Sequence, residues 1–282
     1  MAIRDLVVAY DGNEASEKAL EFALRMATKY GAMVTGLNVT MPERFEGHVR
    51  RWMTSDTTDA IKKARLDAIS EIEAKFRKHV AASEFTGETG WIVEEGPADL
   101  TIARTARFFD VLIMGQFLTA FSSDRRTVDP PTLLLRAGKP VIIVPKDYTV
   151  RPFKEHAAIA WDGSRYAARA LTDAMQILET KTSLDVLTVK GDAHAEEMAK
   201  MPGLDIIIHL QRHGIDANLV ELERQSGSIG GIGGALLSHC GATDPDVLVM
   251  GAFGRGTFGQ TYFGGVSRTI LQHQNVPVLI SH

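Results

Sequence analysis

Short apolar runs alternate along the chain with longer segments in which apolar residues recur at helical spacing. In residues 1–147 the apolar runs predict five strands, and the helical spacing predicts a long helix over 56–83. Apolar strands that alternate with helices are typical of a parallel sheet covered on both faces. The predicted strands are 6–9, 33–39, 87–96, 110–115 and 140–145, with further helices at 15–30 and 97–109.

The same plan is written a second time in the remainder of the chain. An apolar run followed by Asp-Gly occurs at Asp11 and again at Asp162. Later, "DVLIMGQF" recurs as "DVLVMGAF", and "GKPVIIVP" recurs as "QNVPVLIS", in the same order and at nearly the same interval. Such self-similarity predicts two homologous domains, 1–147 and 153–282. The strands predicted in the second domain are 158–161, 184–189, 217–222, 247–250 and 278–280.

Each domain is therefore predicted to be α/β, a doubly wound five-stranded parallel sheet of order 3-2-1-4-5. In such sheets ligands bind beyond the carboxyl ends of the strands, at the point where the strand order reverses. Strands one and four flank that point. We therefore expect Asp162 and the turn at Gly251 to face one crevice in the second domain.

Six glycines lie in the segment around and after the fourth strand of the second domain, "VMGAFGRGTFGQTYFGGVSRTIL". Glycines let backbone N–H groups approach an anion without obstruction by Cβ, and a helix N-terminus adds unpaired N–H donors. A helix is predicted to start at Gly264, with Ser267 and Thr269 as candidate hydroxyl contacts and Arg255 as a candidate cation. The pattern predicts a phosphate site, and a surface loop without a ligand is the alternative.

Other phosphate and catalytic motifs do not fit the sequence. "GRGTFGQT" has the outline of a P-loop, but Gln260 stands where the phosphate-binding lysine is required. The dinucleotide fingerprint belongs after the first strand, where "WDGSRYAA" has a single glycine, and Ser228 is not in a GxSxG frame. The sequence therefore supports neither P-loop hydrolysis, nor hydride transfer, nor a serine hydrolase.

Composition and charge limit the partners and the cellular compartment that we expect for the protein. With 45% hydrophobic and 23% charged residues the chain is globular, and its net charge of −4 favours neither nucleic acid nor an anionic membrane as a partner. The single cysteine, Cys240, indicates a reducing compartment. Since no signal-peptide pattern and no apolar run of roughly 20 residues is present, we expect a cytoplasmic protein.

Two other features of the second domain suggest ligands. His209 and His213 lie four residues apart in a predicted helix, a spacing that can hold a metal ion, but no third ligand is identified. His194, His239 and Cys240 belong to the same domain without a pattern that brings them together. The tract "GSIGGIGGALLSHCG" is dense in glycine, either because a neighbour or ligand approaches its backbone closely or because its helix begins loosely.

The duplicated plan and the glycine loop resemble the universal stress protein family in its tandem two-domain form. The nucleotide-binding branch of that family carries G-x2-G-x9-G-[S/T] after strand four, and Gly251, Gly254 and Gly264 fall at those spacings. The last position is Gly265, so one side-chain contact of the family pattern is missing. The resemblance covers essentially the whole chain and implies a flavodoxin-like, adenine nucleotide alpha hydrolase-like fold.

The resemblance also implies a nucleotide site in the second domain, whereas the first domain departs from the pattern. After Gly115 no glycine occurs until Gly138. Asp124, Asp129 and the two prolines after Asp129 disfavour a phosphate, while Arg125 and Arg126 weakly favour one. Asp11 is then expected to be a turn or helix-cap residue. The implied nucleotide-binding residues are Ala160, Trp161, Asp162, Val189, Met250, Gly251, Gly254, Arg255, Gly264, Gly265, Val266 and Ser267.

The expected function is that of a non-enzymatic stress protein that binds ATP or ADP, with Mg²⁺ or Mn²⁺ if the triphosphate binds. No residue is an evident general base, so at most a slow ATPase activity is expected. The alternatives are a stress protein that binds a protein partner without nucleotide, and a sensor of a metal or a small metabolite. The fifth strands of the two domains are expected to pair as an internal pseudo-dimer, and association into a homo-oligomer is also expected.

Overall fold

A computed structural model of the chain describes residues 3–41, 54–116, 128–192, 195–197, 200, 205–227, 229–252, 254–255, 261–262 and 264–282. In the described part of the first half, five strands alternate with four helices. They are β1 (Asp5–Ala9), α1 (Glu14–Tyr30), β2 (Met33–Thr40), α2 (Ser55–Ala82), β3 (Thr89–Glu95), α3 (Ala98–Ala106), β4 (Val111–Gly115), α4 (Pro130–Ala137) and β5 (Val141–Val144).

The second half repeats this order and adds a pair of short antiparallel strands, of two residues each, inside the glycine loop. Its elements are β6 (His156–Ala160), α5 (Arg165–Leu178), β7 (Ser183–Val189), α6 (Ile206–Arg212), β8 (Ala217–Leu222), α7 (Gly231–Thr243), β9 (Val247–Gly251), β10 (Gly254–Arg255), β11 (Thr261–Tyr262), α8 (Gly265–His273) and β12 (Val278–Ser281).

The two halves share one ten-stranded sheet of order β3-β2-β1-β4-β5-β12-β9-β6-β7-β8. Each half has the predicted order 3-2-1-4-5 with parallel neighbours, so the predicted fold class is confirmed. The halves meet where β5 and β12 pair antiparallel, with Val278 opposite Ile143 and Ile280 opposite Val141. This pairing of the fifth strands is the internal pairing that the family resemblance implies.

Helices cover both faces of the sheet because strand side chains alternate between two hydrophobic cores. Leu6 and Val8 of β1 belong to one core and Val7 to the other, and all three are fully buried. The first core holds apolar residues of α1, α2, α5 and α6, and the second holds those of α3, α4, α7 and α8. The carboxyl end of the sheet is thereby framed by helix N-termini on both faces.

An aspartate at the equivalent position of each half, Asp110 or Asp246, joins the first strand to the fourth. It precedes the fourth strand and accepts hydrogen bonds from two consecutive backbone N–H groups at the start of the first strand, which fixes the register of the two strands. The bonds are from Arg4 (2.7 Å) and Asp5 (3.0 Å) to Asp110, and from Lys154 (2.8 Å) and Glu155 (2.9 Å) to Asp246.

Helix α4 was not predicted. The side chain of Asp129 accepts a hydrogen bond from the N–H of Thr132 at 3.1 Å, and Pro130 opens the helix. Proline is tolerated at the first helical position because its missing N–H would have no partner there. The Asp-Pro-Pro segment is therefore a helix start. The hairpin of β10 and β11 was likewise not predicted.

Candidate functional site

A cavity of about 300 Å³ lies at the carboxyl ends of β6, β7 and β9 in the second half, where the strand order reverses. Its walls come from the turn after β6, the first turn of α5, the end of β7, α7 and the start of α8. The lining residues are Ala160, Trp161, Asp162, Ser164, Tyr166, Ala167, Leu187, Val189, Asp192, Ile232, Leu236, Met250, Gly251, Gly264, Gly265, Val266 and Ser267.

Ten of the twelve residues that the sequence proposes for a nucleotide site line this cavity. The other two, Gly254 and Arg255, form β10, which pairs antiparallel with β11. Residues 253, 256–260 and 263 of the glycine loop lie outside the described part of the chain. The structure thus brings together positions that span more than a hundred residues of sequence.

The turn after β6 presents a carboxylate to the cavity. Oδ1 of Asp162 accepts a hydrogen bond from the N–H of Ser164 at 2.9 Å, and Ser164 caps α5 by accepting from the N–H of Ala167. Gly163 has φ +72° and closes the turn in the left-handed region that favours glycine. Among the described residues Asp162 Oδ2 has no hydrogen-bond partner, so it is available to a ligand.

Asp11 holds the equivalent turn of the first half. Its carboxylate accepts from the backbone N–H of Asn13 at 3.0 Å and from the Asn13 side-chain amide at 2.9 Å, and Asn13 caps α1. Asp11 is therefore a turn residue, as the sequence indicates. Both of its carboxylate oxygens are occupied within the turn, in contrast to Asp162.

Gly251, the first glycine of the loop pattern, has a packing role. A Cβ at this position would lie 2.6 Å from Tyr166 Cβ and 2.7 Å from the Tyr166 carbonyl carbon, because β9 passes directly beside the first turn of α5. Gly115 is in the same situation in the first half, where a Cβ would lie 2.3 Å from the carbonyl oxygen of Ala15. The glycine is thus needed in both halves for the approach of helix to strand.

The N-terminus of α8 faces the cavity without a side-chain cap. The N-cap residue is Gly264, which has no side chain to cap the helix, and a Cβ on Gly265 would meet no atom of the described residues within 4 Å. A helix N-terminus leaves its first N–H groups without intrahelical partners and carries partial positive charge. This end of α8 is therefore an open site for an anionic group.

Of the two side chains proposed as hydroxyl contacts, Ser267 is hydrogen-bonded within the protein and Thr269 packs on a neighbouring helix. Ser267 Oγ is buried and donates to the carbonyl oxygen of Ala252 at 2.7 Å, which fixes the start of the glycine loop to α8. Thr269 lies against α7, where a Cβ on Gly233 would be 2.9 Å from the Thr269 Cβ. Gly233 therefore lets α7 and α8 approach closely, which favours the close-approach explanation of the glycine-dense tract.

The inner part of the cavity is apolar. Nearly fully buried side chains form it, those of Leu187, Val189, Leu236 and Met250. Trp161 lies beside them, and its backbone N–H donates a hydrogen bond to the carbonyl oxygen of Leu187 at 2.8 Å. Such a floor accepts a flat, weakly polar group. Asp162 and Asp192 lie in the more polar part of the lining.

An aromatic residue beside the cavity was missed by the sequence reading. The ring of Tyr166 packs against the ring of His282, with centroids 5.4 Å apart, and the guanidinium of Arg165 stacks 4.6 Å from the Tyr166 centroid. Burial, and next the charge of Arg165, lower the pKa of His282 below its ordinary value. The cluster therefore presents a neutral imidazole and one cation near neutral pH.

The remaining missed residues are brought in by topology. Ser164 and Ala167 come from the capped first turn of α5, and Ile232 and Leu236 from α7. The one sequence signal that points to them is helical phase: they follow the Asp-Gly turn or the glycine-dense tract at a spacing that faces the strand ends. Leu187 lies in β7 and Asp192 follows that strand, and no sequence signal points to these two.

The first half differs at the corresponding helix. There the start of α4 is capped by its own carboxylate, that of Asp129, which also accepts a hydrogen bond from the Thr132 hydroxyl at 2.6 Å. A carboxylate at this place satisfies the helix N-terminus from within the chain. The segment 117–127, which precedes this cap, lies outside the described residues.

The histidines of the second half form no metal-binding group of three or more ligands among the described residues. The rings of His209 and His213 lie 4.9 Å apart at α6, and His213 Nδ1 is 3.8 Å from Glu179. Cys240 is buried, and burial raises the pKa of its thiol to about 12, so it is protonated and unreactive at neutral pH. His194 lies outside the described residues.

His239 instead joins a polar cluster on the sheet. His239 Nε2 lies 2.9 Å and His156 Nε2 lies 3.1 Å from the same oxygen of Asp185, and all three side chains are largely buried.

In the part of the chain that the structure describes, no helix is both long and apolar enough to cross a bilayer.

Together these features define a doubly wound α/β protein built from two repeats, with a ligand-sized cavity at the switch point of the second repeat. The model of the universal stress protein family matches residues 2–116 and 155–282. The chain belongs to the universal stress protein family, which confirms the resemblance seen in the sequence. The domain limits 1–147 and 153–282 stay a prediction.

Solved structures of similar architecture support the fold. A universal stress protein from Archaeoglobus fulgidus DSM 4304 aligns with a TM-score of 0.69 at 19% identity, over 98% of this chain and 95% of that one. A functionally unknown protein from Pseudomonas aeruginosa PAO1 aligns with a TM-score of 0.56 at 16% identity, over 99% of this chain and 92% of that one. No curated protein matches the chain significantly.

Proposed function

We propose that this universal stress protein binds ATP or ADP in its second half and acts as a non-enzymatic, nucleotide-dependent regulatory protein. The observation that carries the proposal is the difference between two equivalent helices. The α8 N-terminus, at Gly264 and Gly265, is open toward a cavity, whereas Asp129 caps the N-terminus of α4. An uncapped helix N-terminus beside a cavity suits a phosphate, and a carboxylate cap excludes one.

The cavity offers one kind of contact to each part of a nucleotide. The apolar floor formed by Leu187, Val189 and Met250 suits an adenine ring, and Asp162 Oδ2 suits the hydroxyl groups of a ribose. The backbone N–H groups at the start of α8 suit the phosphates. A volume of about 300 Å³ is at the small end of ligand cavities, which fits a nucleoside whose phosphates extend toward the glycine loop.

Bound triphosphate is expected to bring Mg²⁺ or Mn²⁺, since phosphate oxygens and carboxylates are the ligands these ions prefer. Asp162 and Asp192 are the carboxylates of the lining. In this proposal the two carboxylates of the described lining are taken by the ribose and the metal ion, which leaves no evident base to activate a water molecule. We therefore expect nucleotide occupancy to shift conformation or partner choice, with slow ATP hydrolysis at most.

Titration calorimetry with ATP and ADP on the full chain tests the site with one charged variant, a control matched to it in size and a control matched to it in charge. Gly265→Asp places a carboxylate at the first turn of α8, where open space and the helix dipole both tolerate it, so the fold is preserved. Gly265→Asn adds the same bulk without charge. Asn218→Asp adds the same charge on exposed β8, away from the cavity.

The proposal predicts that Gly265→Asp weakens ATP binding at least about tenfold more than Gly265→Asn, because the new charge repels phosphate. Asn218→Asp is expected to bind ATP like the unmodified chain. Equal affinity of the two Gly265 variants would place the phosphates elsewhere. A chain that releases no nucleotide on denaturation and gives no heat with ATP or ADP would instead support a partner-binding stress protein without nucleotide.

A further inference from the structure

A second cavity, of about 670 Å³, lies between α1, the end of α2 and the segment that joins the two halves. This volume is in the range of small-molecule sites. Its apolar lining includes Leu20 and Leu24 of α1, Phe85 just after α2, and Val150 and Phe153 of the joining segment. It shares no residue with the cavity at α8.

The side chain of Arg25 lines this cavity, and its positive charge has no ion-pair partner among the described residues. Its Nε is fully buried and has no hydrogen-bond partner, and its guanidinium forms no ion pair with the described residues. The guanidinium carbon lies 5.6 Å from the centroid of the Phe153 ring, a stacking distance that fixes its position. The terminal Nη atoms make no hydrogen bond to a described residue either, and their N–H groups are the donors that a ligand in the cavity can reach.

The acidic residues around Arg25 are already matched. Glu155 pairs with Lys29, and Glu21 pairs with Lys18 at 3.1 Å. Each of these carboxylates therefore has its own cation, which leaves the Arg25 guanidinium as the unmatched positive charge of the cavity.

The other charged groups of the lining do not replace a ligand either. Glu84 is exposed to solvent. His79 Nδ1 lies 3.1 Å from the carbonyl oxygen of Lys75, and its Nε2 lies 3.7 Å from Glu17. Both ring nitrogens of His79 are thus directed to α1 and α2 themselves.

We propose that this cavity binds a small amphipathic carboxylate, whose charged end pairs with Arg25 and whose apolar body packs on Phe85 and Val150. A guanidinium donates two parallel hydrogen bonds to a carboxylate, here from the terminal Nη1–H and Nη2–H groups of Arg25. The site lies between α1, α2 and the joining segment, so this ligand would bind apart from the cavity at α8.

The test uses 3-phenylpropionate as the probe and its neutral amide, 3-phenylpropanamide, as the comparison. Binding is followed on the full chain by ligand-observed NMR and by the side-chain Nε–Hε signal of Arg25, assigned by its loss in the Arg25→Met variant. Lys62→Met removes one positive charge from the exposed surface of α2, outside the cavity, and serves as the matched control.

We expect the carboxylate to bind at least about tenfold more tightly than the amide and to shift the Arg25 signal. Arg25→Met should abolish this preference, whereas Lys62→Met should keep it, with or without ATP present. Equal binding of carboxylate and amide, an unshifted Arg25 signal, or a preference that survives Arg25→Met would each overturn the proposal. Absence of binding by either probe at millimolar concentration would also overturn it.

Discussion

The side-chain amide of Gln116 donates a hydrogen bond to the main-chain carbonyl oxygen of Leu271 at 3.0 Å. It thereby ties the end of β4 in the first half to the last turn of α8 in the second. The same nitrogen lies 3.2 Å from the carbonyl oxygen of Gln272, and Oε1 accepts from the N–H of Lys146 at 3.2 Å. The first half therefore holds one end of the helix whose other end borders the cavity.

Gln116→Ala is expected to destabilise the chain by about 1–3 kcal/mol, because it removes three hydrogen bonds and leaves buried backbone groups without partners. Urea unfolding measures the change in the free energy of unfolding. Gln272→Ala is the control, since that side chain is exposed on the same helix and should change stability little. If both variants were equally stable, the contact would not hold α8.

The fold could be predicted from the sequence because its signals are local and repeated. Buried runs such as that of β1 and the Asp-Gly turns at Asp11 and Asp162 occur twice in one order, which predicted the duplication, and the doubly wound class then predicted the strand order of each half. Helix α4 was missed because prolines normally break a helix, and only the position of Asp129 as a cap makes Pro130 a start.

The position of the candidate site in the fold could be predicted from the sequence, but the contacts that its residues make could be predicted only in part. A glycine pattern does not say whether a residue faces a ligand or a neighbouring helix, and Gly251 proves to pack on α5. Likewise, Ser267 was expected to contact phosphate, but its hydroxyl donates to Ala252. Tyr166 carries no sequence signal, since the packing of α5 on β9 places it at the cavity.

Gly251→Ala is expected to destabilise the chain by about 1–3 kcal/mol, since the new methyl group would overlap Tyr166 of α5 and force the helix away from β9. Gly265→Ala is the comparison, because its Cβ meets open space in the first turn of α8. That change should be neutral or slightly stabilising. Thermal unfolding of the two variants side by side separates them, and equal melting temperatures would contradict the packing role.

Lys181→Met tests the buried ion pair at the junction of the two halves. Lys181 Nζ lies 2.7 Å from Asp246, and both side chains are 3% exposed. Removing the cation leaves a buried carboxylate that also holds the backbone of Lys154 and Glu155, so a loss of about 3–5 kcal/mol is expected. The exposed Lys62→Met change should cost at most about 1 kcal/mol. Denaturant midpoints that fall together would argue against burial as the cause.

Tyr10→Phe is expected to leave stability unchanged or to raise it by about 1 kcal/mol. The Tyr10 hydroxyl is buried and has no hydrogen-bond partner among the described residues, while its ring packs edge-on against Phe76 and Trp91. The substitution keeps the ring and removes the unsatisfied group. A loss of more than about 1 kcal/mol in urea unfolding would show that the hydroxyl is satisfied in solution.

The same variant is expected to change the response of stability to alkaline pH. Burial, and next the charges of Glu17 and Asp11, raise the pKa of Tyr10 from 10.0 to about 12. Between these values the unfolded chain releases the proton and the folded chain retains it, so the free energy of unfolding falls as pH rises. Tyr10→Phe removes this contribution, and its stability should decline less steeply from pH 10 to 12. Parallel declines would contradict the raised pKa.

Gly265→Ser is expected to tighten ATP binding, on the basis of the proposed nucleotide site. Serine restores the hydroxyl that the family pattern carries at this position, and the open space around Gly265 accommodates it. One hydrogen bond of about 0.5–1.5 kcal/mol corresponds to a gain of about two- to tenfold in affinity. Gly265→Ala is the matched control, since it restricts the backbone in the same way without a hydroxyl. Calorimetry that gave equal ATP affinities for the serine and alanine variants would show that no phosphate lies within reach of this side chain.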